Sequence, residues 1–238
     1  MYKNKKVSVV ISTYNESGSI RGVIDGLFET NFVDEVVVVD NNALGNTREE
    51  VAKTKARLVV ETKQGLGHGL MKGFEEVTGD LIAMIDADGT YQSKDIEKLL
   101  AYSDEFDVVL GTRTSRSAIW SGAFMPFPVR LANLLWAKAV EFLYNGPLLT
   151  DVGCLYKLIS RKALNEVKSL FPMGRGDGIF NLEMVIWFLK KDLKTIEIPV
   201  IFKERVGESM YVGTSILKAA KWGFKMIPLI LKYIFKKI

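Results

Sequence analysis

Short apolar runs that end in clusters of polar residues recur through the first half of this chain, and they constrain its fold more than any other feature. Val7-Ser8-Val9-Val10-Ile11-Ser12 runs into Thr13-Tyr14-Asn15-Glu16, and Glu35-Val36-Val37-Val38-Val39-Asp40 into Asn41-Asn42. Leu81-Ile82-Ala83-Met84-Ile85 runs into Asp86-Ala87-Asp88, and the run from Asp107 to Leu110 into Gly111-Thr112-Arg113. Arg57 to Glu61 supplies a further short strand. Between these runs lie helical patterns at Ser19–Glu29, Gly67–Val77 and Ser93–Tyr102, with Thr47 and Glu50 spaced as a capping box for another helix. Continuous apolar strands separated by helices predict an α/β fold with a mostly parallel sheet covered on both faces. In such sheets ligands sit beyond the carboxyl ends of the strands, so the four polar clusters are the first candidates for a site.

The second half is less regular. It reads as an apolar, aromatic loop from Ala118 to Pro128, helices at Val129–Tyr144 and Phe180–Leu189, and strands at Leu155–Ile159 and Thr195–Phe202. No linker interrupts the 238 residues, which suits one large domain over residues 1–214 and a helical appendage over 215–238. A single cysteine, Cys154, excludes an internal disulfide framework and a cysteine zinc cluster. The single histidine, His68, excludes a multi-histidine metal site and sits in the glycine-rich stretch Gly65-Leu66-Gly67-His68-Gly69 as a local hydrogen-bonding residue. The net charge of +4 belongs to the tail: Lys218, Lys221, Lys225, Lys232, Lys236 and Lys237 all lie after the last acidic residue, Glu208. A nucleic-acid binder would spread its basic residues over a recognition face, so none is expected as a partner.

The chemistry of the clusters is specific. Two carboxylates on a tight turn, Asp86 and Asp88 around Ala87, gather a hard divalent cation whose other positions are filled by water and phosphate oxygens. Such an ion neutralises charge building on a diphosphate leaving group. Asp40 reads either as a turn former or as an acceptor for a nucleobase or ribose, with Tyr14 positioned to pack on the base. Glycines opening a helix, Gly67 among them, permit close helix–sheet packing or leave amides free for an anion.

In this order the residues resemble family 2 glycosyltransferases of the GT-A fold, in the dolichol-phosphate mannose synthase-like subgroup. The resemblance covers about Val7 to Met210. It rests on Ser12 to Glu16, Val38-Val39-Asp40, Gly65-Leu66-Gly67, Asp86-Ala87-Asp88, Gly111-Thr112-Arg113, Asp151 with Gly153, and Arg205-Val206-Gly207-Glu208-Ser209. It implies inverting transfer of a hexose, mannose or glucose, from a GDP- or UDP-sugar, with Mg²⁺ or Mn²⁺. In such enzymes the positions of Thr13, Tyr14, Glu16, Asp40 and Asn41 hold the nucleoside, and Asp86 and Asp88 hold the metal. Arg113, Arg130, Arg205 and Ser209 are then expected to bind the acceptor phosphate or donor diphosphate, in keeping with the planar fork that arginine offers phosphate oxygens. The chain departs from the family pattern at Ser12, at Asn41-Asn42-Ala43, at Thr90 in place of a third metal ligand, and at Met210.

The acceptor expected is a polyprenyl phosphate. A phosphomonoester has a second pKa near ~6, so it attacks largely as a dianion and needs no strong base. A hydroxyl acceptor would need one, and Asp151 is then the candidate, with Glu183 as an orienting residue. The tail fits a lipid acceptor. On a helical projection five of its lysines share one stripe against a wide face that includes Leu217, Phe224 and Leu231. That is the pattern of a helix lying in a membrane interface, divided or kinked at Pro228, with packing on the protein's own core or on a dimer partner as the alternative. No run approaches a membrane span, so the chain is expected as a peripheral protein on the cytoplasmic face. Two other readings stay open: a glycan or small soluble acceptor, and a non-catalytic, membrane-anchored sugar-nucleotide-binding protein. A homo-oligomer also stays open.

Overall fold

Valines form the centre of the sheet. In the computed structural model, which describes residues 1–171, 179–207, 216–234 and 236, β1 (Val7–Thr13) is followed by α1 (Ile20–Glu29), β2 (Glu35–Asp40), α2 (Thr47–Ala52), β3 (Arg57–Val60), α3 (Leu66–Glu76) and β4 (Leu81–Met84). Then come α4 (Ile96–Ala101), β5 (Val108–Thr112), α5 (Phe127–Leu143), β6 (Lys157–Ser160), α6 (Arg161–Val167), α7 (Phe180–Lys190), β7 (Thr195–Pro199) and α8 (Ile216–Ile234). The seven strands form one sheet in the order β3-β2-β1-β4-β6-β5-β7.

All neighbouring strands are parallel except β6, which runs antiparallel to both β4 and β5. Two antiparallel steps restore the original direction. The carboxyl ends of β1, β2, β4 and β5 therefore share one edge, and all four polar clusters lie along it. Alternate residues of β1 and β2 face opposite sides. Val10, Val37 and Val39 join α3, α5, α6, α7 and α8 in one core, while Val9, Ile11, Val36 and Val38 join α1, α2 and α4 in the other.

The helix α3 packs unusually close to β1. A Cβ at Gly69 would lie 2.1 Å from Ser12 Oγ, and one at Gly73 would lie 2.2 Å from Val10 Cγ1. These glycines serve close helix–sheet packing, and Ser12, which stands at a departure from the family pattern, fits under Gly69.

Several local expectations change. The capping box does not form: Asn46 is the N-cap, Thr47 Oγ1 donates to the Leu44 carbonyl, and no side chain caps α2. α5 starts at Phe127, inside the segment expected as loop, because Pro128 occupies a first-turn position where no N–H is needed. The expected strand at Leu155–Ile159 begins two residues later, at Lys157.

The tail helix is built into the body. Leu229, Ile230 and Tyr233 are buried against α5 and α7. The Tyr144 hydroxyl donates to the Ile230 carbonyl, and Gly223 lies against the Trp136 indole. Trp136 of α5 and Tyr144 just past its end thus meet 223 and 230 of α8, so the two helices run side by side in the same direction. One helix is continuous through Pro228, and Lys190 Nζ closes its end by donating to the carbonyls of Tyr233 (2.8 Å) and Lys236 (2.6 Å). The apolar face expected to meet a membrane is therefore divided. Part of it covers the core, while Ile216, Leu217, Phe224, Ile227 and Leu231 stay exposed, as do Phe127, Leu131, Leu135 and Phe142 on α5. Among the described residues no helix is long and apolar enough to cross a membrane.

Candidate active site

β4 delivers the acidic turn. The Ala87 carbonyl accepts from Ser19 Oγ at 2.7 Å, which fixes the turn to the start of α1. Asp88 is buried and fully engaged: Oδ1 accepts from Thr90 N (2.9 Å) and Thr90 Oγ1 (2.6 Å), and Oδ2 pairs with Arg205 Nη1. Thr90, at the position of an expected third metal ligand, thus orients Asp88. Asp86 is different: it is partly exposed and accepts no hydrogen bond from any described residue. Burial of the surrounding turn, then the charge of Asp88, push its carboxyl up to about 7, with Arg113 and Arg205 opposing.

Arg205 bridges two clusters. It pairs with Asp88 and with Glu16 Oε1 (3.2 Å), while its Nε is buried without a partner. Glu16 in turn organises the loop after β1, its Oε2 accepting from Thr13 Oγ1 (3.0 Å), Tyr14 N (2.7 Å) and Asn15 N (2.9 Å). Glu16 is thereby a loop organiser as well as a lining residue.

The residues expected around the nucleoside are already partnered. Asp40 is buried, with Oδ1 accepting from Ala43 N and Oδ2 paired with Arg48 Nε. Arg48 is itself exposed, and it covers the carboxylate expected to face the base. The amide of Asn41 is spent on the loop before α3: Nδ2 donates to the Glu61 and Lys63 carbonyls at 3.0 and 2.7 Å, and Oδ1 accepts from Gly65 N at 2.6 Å. Asn41 therefore positions the glycine loop, in which Gly67 is buried in the first turn of α3, instead of presenting its amide to the groove.

On the other side of the acidic turn, Arg113 leaves the end of β5 and is clamped by Asp151. Nε donates to Oδ2 at 2.7 Å and Nη2 to Oδ1 at 2.9 Å, a bidentate pair, and the guanidinium lies 5.5 Å over the Phe202 ring. The Asp151 side chain is 0% exposed. Burial opposes its charge, but the Arg113 guanidinium outweighs burial and holds its carboxyl below the usual carboxylate range. A sealed, doubly engaged carboxylate with a low pKa is ill suited to take a proton near neutrality, so its geometry assigns Asp151 to holding Arg113 instead of to base catalysis. Arg130, at the start of α5, stacks 6.0 Å over Phe127 and has no carboxylate partner among the described residues. Ser209 lies outside the described residues. Glu183 is buried on α7 and accepts from the Tyr233 hydroxyl at 2.9 Å, a core contact with α8.

Sequence reasoning missed three supports. Glu197 on β7 accepts from Thr150 N (2.8 Å), Thr150 Oγ1 (2.6 Å) and Asp151 N (2.9 Å); burial pushes its carboxyl up to about 7. The hydroxyls of Thr112, Thr114 and Thr150 form a cluster between β5 and that turn. Lys157 is buried on β6. A charged residue inside an apolar run, as at Glu197 and Lys157, is the signal that could have found two of them.

Among the described residues no three His, Cys, Asp or Glu side chains gather as a metal cage. Two carboxylates on one turn, one of them without a hydrogen bond and raised in pKa, nevertheless fit a hard divalent ion that takes its remaining oxygens from a diphosphate.

An open α/β sheet with this acidic turn and these arginines on its ligand edge has the GT-A architecture of glycosyltransferases. Within that class the chain belongs to glycosyl transferase family 2, whose model matches residues 8–168. It is 31% identical over 210 residues to the low-salt glycan biosynthesis hexosyltransferase Agl6 of Haloferax volcanii, covering 85% of this chain and 49% of that protein. It is 27% identical over 234 residues to an undecaprenyl-phosphate mannosyltransferase of Micrococcus luteus, covering 92% and 94%. The chain thus spans about half of the first relative and nearly all of the second. In fold it is similar to glucosyl-3-phosphoglycerate synthase of Mycobacterium tuberculosis in complex with Mn²⁺, UDP and phosphoglyceric acid, with a TM-score of 0.73 at 18% identity over 99% of this chain and 80% of that one.

Proposed function

We propose that this glycosyltransferase transfers a hexose, with inversion, from a GDP- or UDP-sugar to a polyprenyl phosphate at the cytoplasmic face of a membrane, with Mg²⁺ or Mn²⁺ as its cofactor. One observation carries the reading: the free carboxylate of Asp86 and the clamped guanidinium of Arg113 stand at the ends of β4 and β5 on the same edge of the sheet. The first suits a cation–diphosphate and the second an anionic acceptor. The names of the mannosyltransferase relative and of the Mn²⁺–UDP complex support donor and acceptor classes of this kind.

In this reading Asp86 and Asp88 hold the ion, which when bound offsets charge on the departing nucleoside diphosphate. Thr90 keeps Asp88 oriented. Arg205 sits on Asp88 and Glu16, and its guanidinium would turn to phosphate oxygens if Asp88 held a cation, with Ser209 nearby in sequence. Thr13, Tyr14 and Glu16 line the nucleoside side, and Arg48 must leave Asp40 before that carboxylate can accept from a base. Arg113, pre-oriented by Asp151, and Arg130 receive the acceptor phosphate. The phosphate dianion attacks the anomeric carbon unaided, which agrees with the absence of a free base at Asp151. The exposed apolar residues of α5 and α8, flanked by exposed Lys221 and Lys232, support contact with an anionic membrane surface.

The test is direct. Purified protein, Mn²⁺ or Mg²⁺, labelled GDP- and UDP-hexoses and a polyprenyl phosphate should yield a lipid-linked sugar. Transfer only to water-soluble acceptors would replace the lipid reading, and no transfer with any common donor would remove it.

A further inference from the structure

Lys157 is the least expected residue of the sheet. It sits on β6 between Met84 of β4 and Leu110 of β5, both apolar, and is itself 1% exposed. Among the described residues no carboxylate lies within ion-pair distance of its ammonium. Burying an unpaired charge is costly, and an apolar side chain of similar volume would fill the site without that cost. Burial pulls its pKa down to about 8, while Asp151 and Asp86 at longer range favour the charged form.

What the ammonium holds explains its presence. Nζ donates to the Cys154 carbonyl and to Asn181 Oδ1 (3.2 Å), and Asn181 Nδ2 donates to the Gly153 carbonyl at 3.2 Å. Two successive carbonyls of the turn after Asp151 are thereby tied to β6 and α7. The same turn bends back so that Gly153 N reaches Asp151 Oδ1 at 3.0 Å, the oxygen that also accepts from Arg113 Nη2. There is little room for error, since a Cβ at Gly153 would stand 3.1 Å from Arg113 Nη2.

We propose that Lys157 is a positioning residue that, through Asn181 and the Gly153–Cys154 carbonyls, holds Asp151 in the fork of Arg113 and so aims Arg113 at the anionic substrate. Its structural half stands on the contacts above. Its catalytic half rests on the proposed role of Arg113 at a substrate phosphate.

The two halves are separated by experiment. In ¹⁵N-labelled protein, with the Arg113 Nε–H resonance assigned through Arg113→Lys, Lys157→Met should speed exchange of that proton by roughly 10-fold or more, and Lys157→Arg should restore much of the protection. In transfer assays Lys157→Met should lower kcat by roughly 10–100-fold, the range seen when an outer support of a site residue is lost. KM for the sugar nucleotide should stay within about twofold, and Mn²⁺-dependent binding of UDP or GDP should persist. If Lys157→Met does not fold, Asn181→Leu removes one strap while keeping the charge and should move the same two readouts. Folded variants with Arg113 Nε–H exchange and kcat both within about twofold of wild type would overturn the proposal. The exchange measurement needs no substrate, so a wild-type protein without transfer activity would remove the phosphate-transfer reading and leave the positioning claim to be judged by exchange.

Discussion

The two sides of the active edge are built differently. On the side proposed for the nucleotide, residues 7–88, consecutive parallel strands carry their polar clusters directly at their ends. The carboxylates there have local contacts: Glu16 to the amides of Tyr14 and Asn15, Asp40 to Ala43, Asp88 to Thr90. Arg205 is added from far along the chain to Glu16 and Asp88. On the side proposed for the acceptor phosphate, Arg113 depends on Asp151 38 positions away, and Asp151 N on Glu197 46 positions away. One side is written into short stretches of sequence. The other is assembled from three strands and a helix, with buried charges as fasteners. The difference teaches that the nucleotide side should tolerate loss of a single contact in its fold but not in its chemistry, whereas the phosphate side should lose both together.

The largest expected effect tests the nucleotide side. Asp86→Ala and Asp88→Ala should each lower turnover on the order of 10²–10³-fold, with a far-UV spectrum like wild type. Loss of fold in Asp86→Ala would break the comparison, because Asp86 makes no hydrogen bond to a described residue. Next comes the clamp. Asp151→Ala leaves the half-buried Arg113 guanidinium without its carboxylate, and should cost roughly 3 kcal/mol, the low end of the range for a buried pair, in urea denaturation as well as activity. A stability change under about 1 kcal/mol, the scale of an exposed pair, would show that the clamp is not sealed in solution.

Membrane contact gives a third comparison. Deleting residues 215–238 would uncover the core at Leu229, Ile230 and Tyr233 and confuse two effects. Leu217→Asp and Phe142→Asp, at residues 83% and 86% exposed, should abolish flotation with anionic liposomes while leaving the melting temperature within about 2 °C. Unchanged flotation would assign those faces elsewhere.

The smallest effect concerns Glu197. Its folded pKa, about 7, is raised above the ordinary 4.5 by burial. Its contribution to stability is therefore fully present below pH 4.5 and is lost as pH rises toward 7. Thermal melts across that window should show wild-type stability falling more steeply than that of Glu197→Gln, by an amount on the order of 1–3 kcal/mol. Parallel slopes would mean that the amides of Thr150 and Asp151 keep Glu197 ionised throughout.

Legibility in the sequence follows the same division. The valine run ending at Asp40 and the apolar run ending at Asp86 announce strands and site together, because strand, turn and ligand edge are contiguous. Arg113 and Asp151 were recognisable as site residues, but not as partners; their pairing depends on β6 entering antiparallel between β4 and β5, which no local pattern encodes. Arg48 over Asp40 was hidden because exposed helical arginines are ordinary. The two prolines differ: Pro128 sits in the first turn of α5, where no N–H is required, whereas Pro228 lies inside α8 and removes one backbone hydrogen bond without dividing the helix. The tail shows a limit of helical projection. Its apolar face was visible and core packing was an open alternative, but not that Leu229, Ile230 and Tyr233 would be the part turned inward while Leu217 and Phe224 stay exposed.

The bond between Arg113 and Asp151 closes a ring. The chain leaves the sheet at one partner, makes the excursion that contains α5, and comes home at the other, so entry and exit share a single clasp. An excursion fastened at its mouth can vary at its exposed residues, such as Leu131, Leu135 and Phe142, while Ala137 and Val140 keep it seated on the core. Exchanging the stretch between these two residues for that of a relative would leave the clasp itself with the strands that hold it.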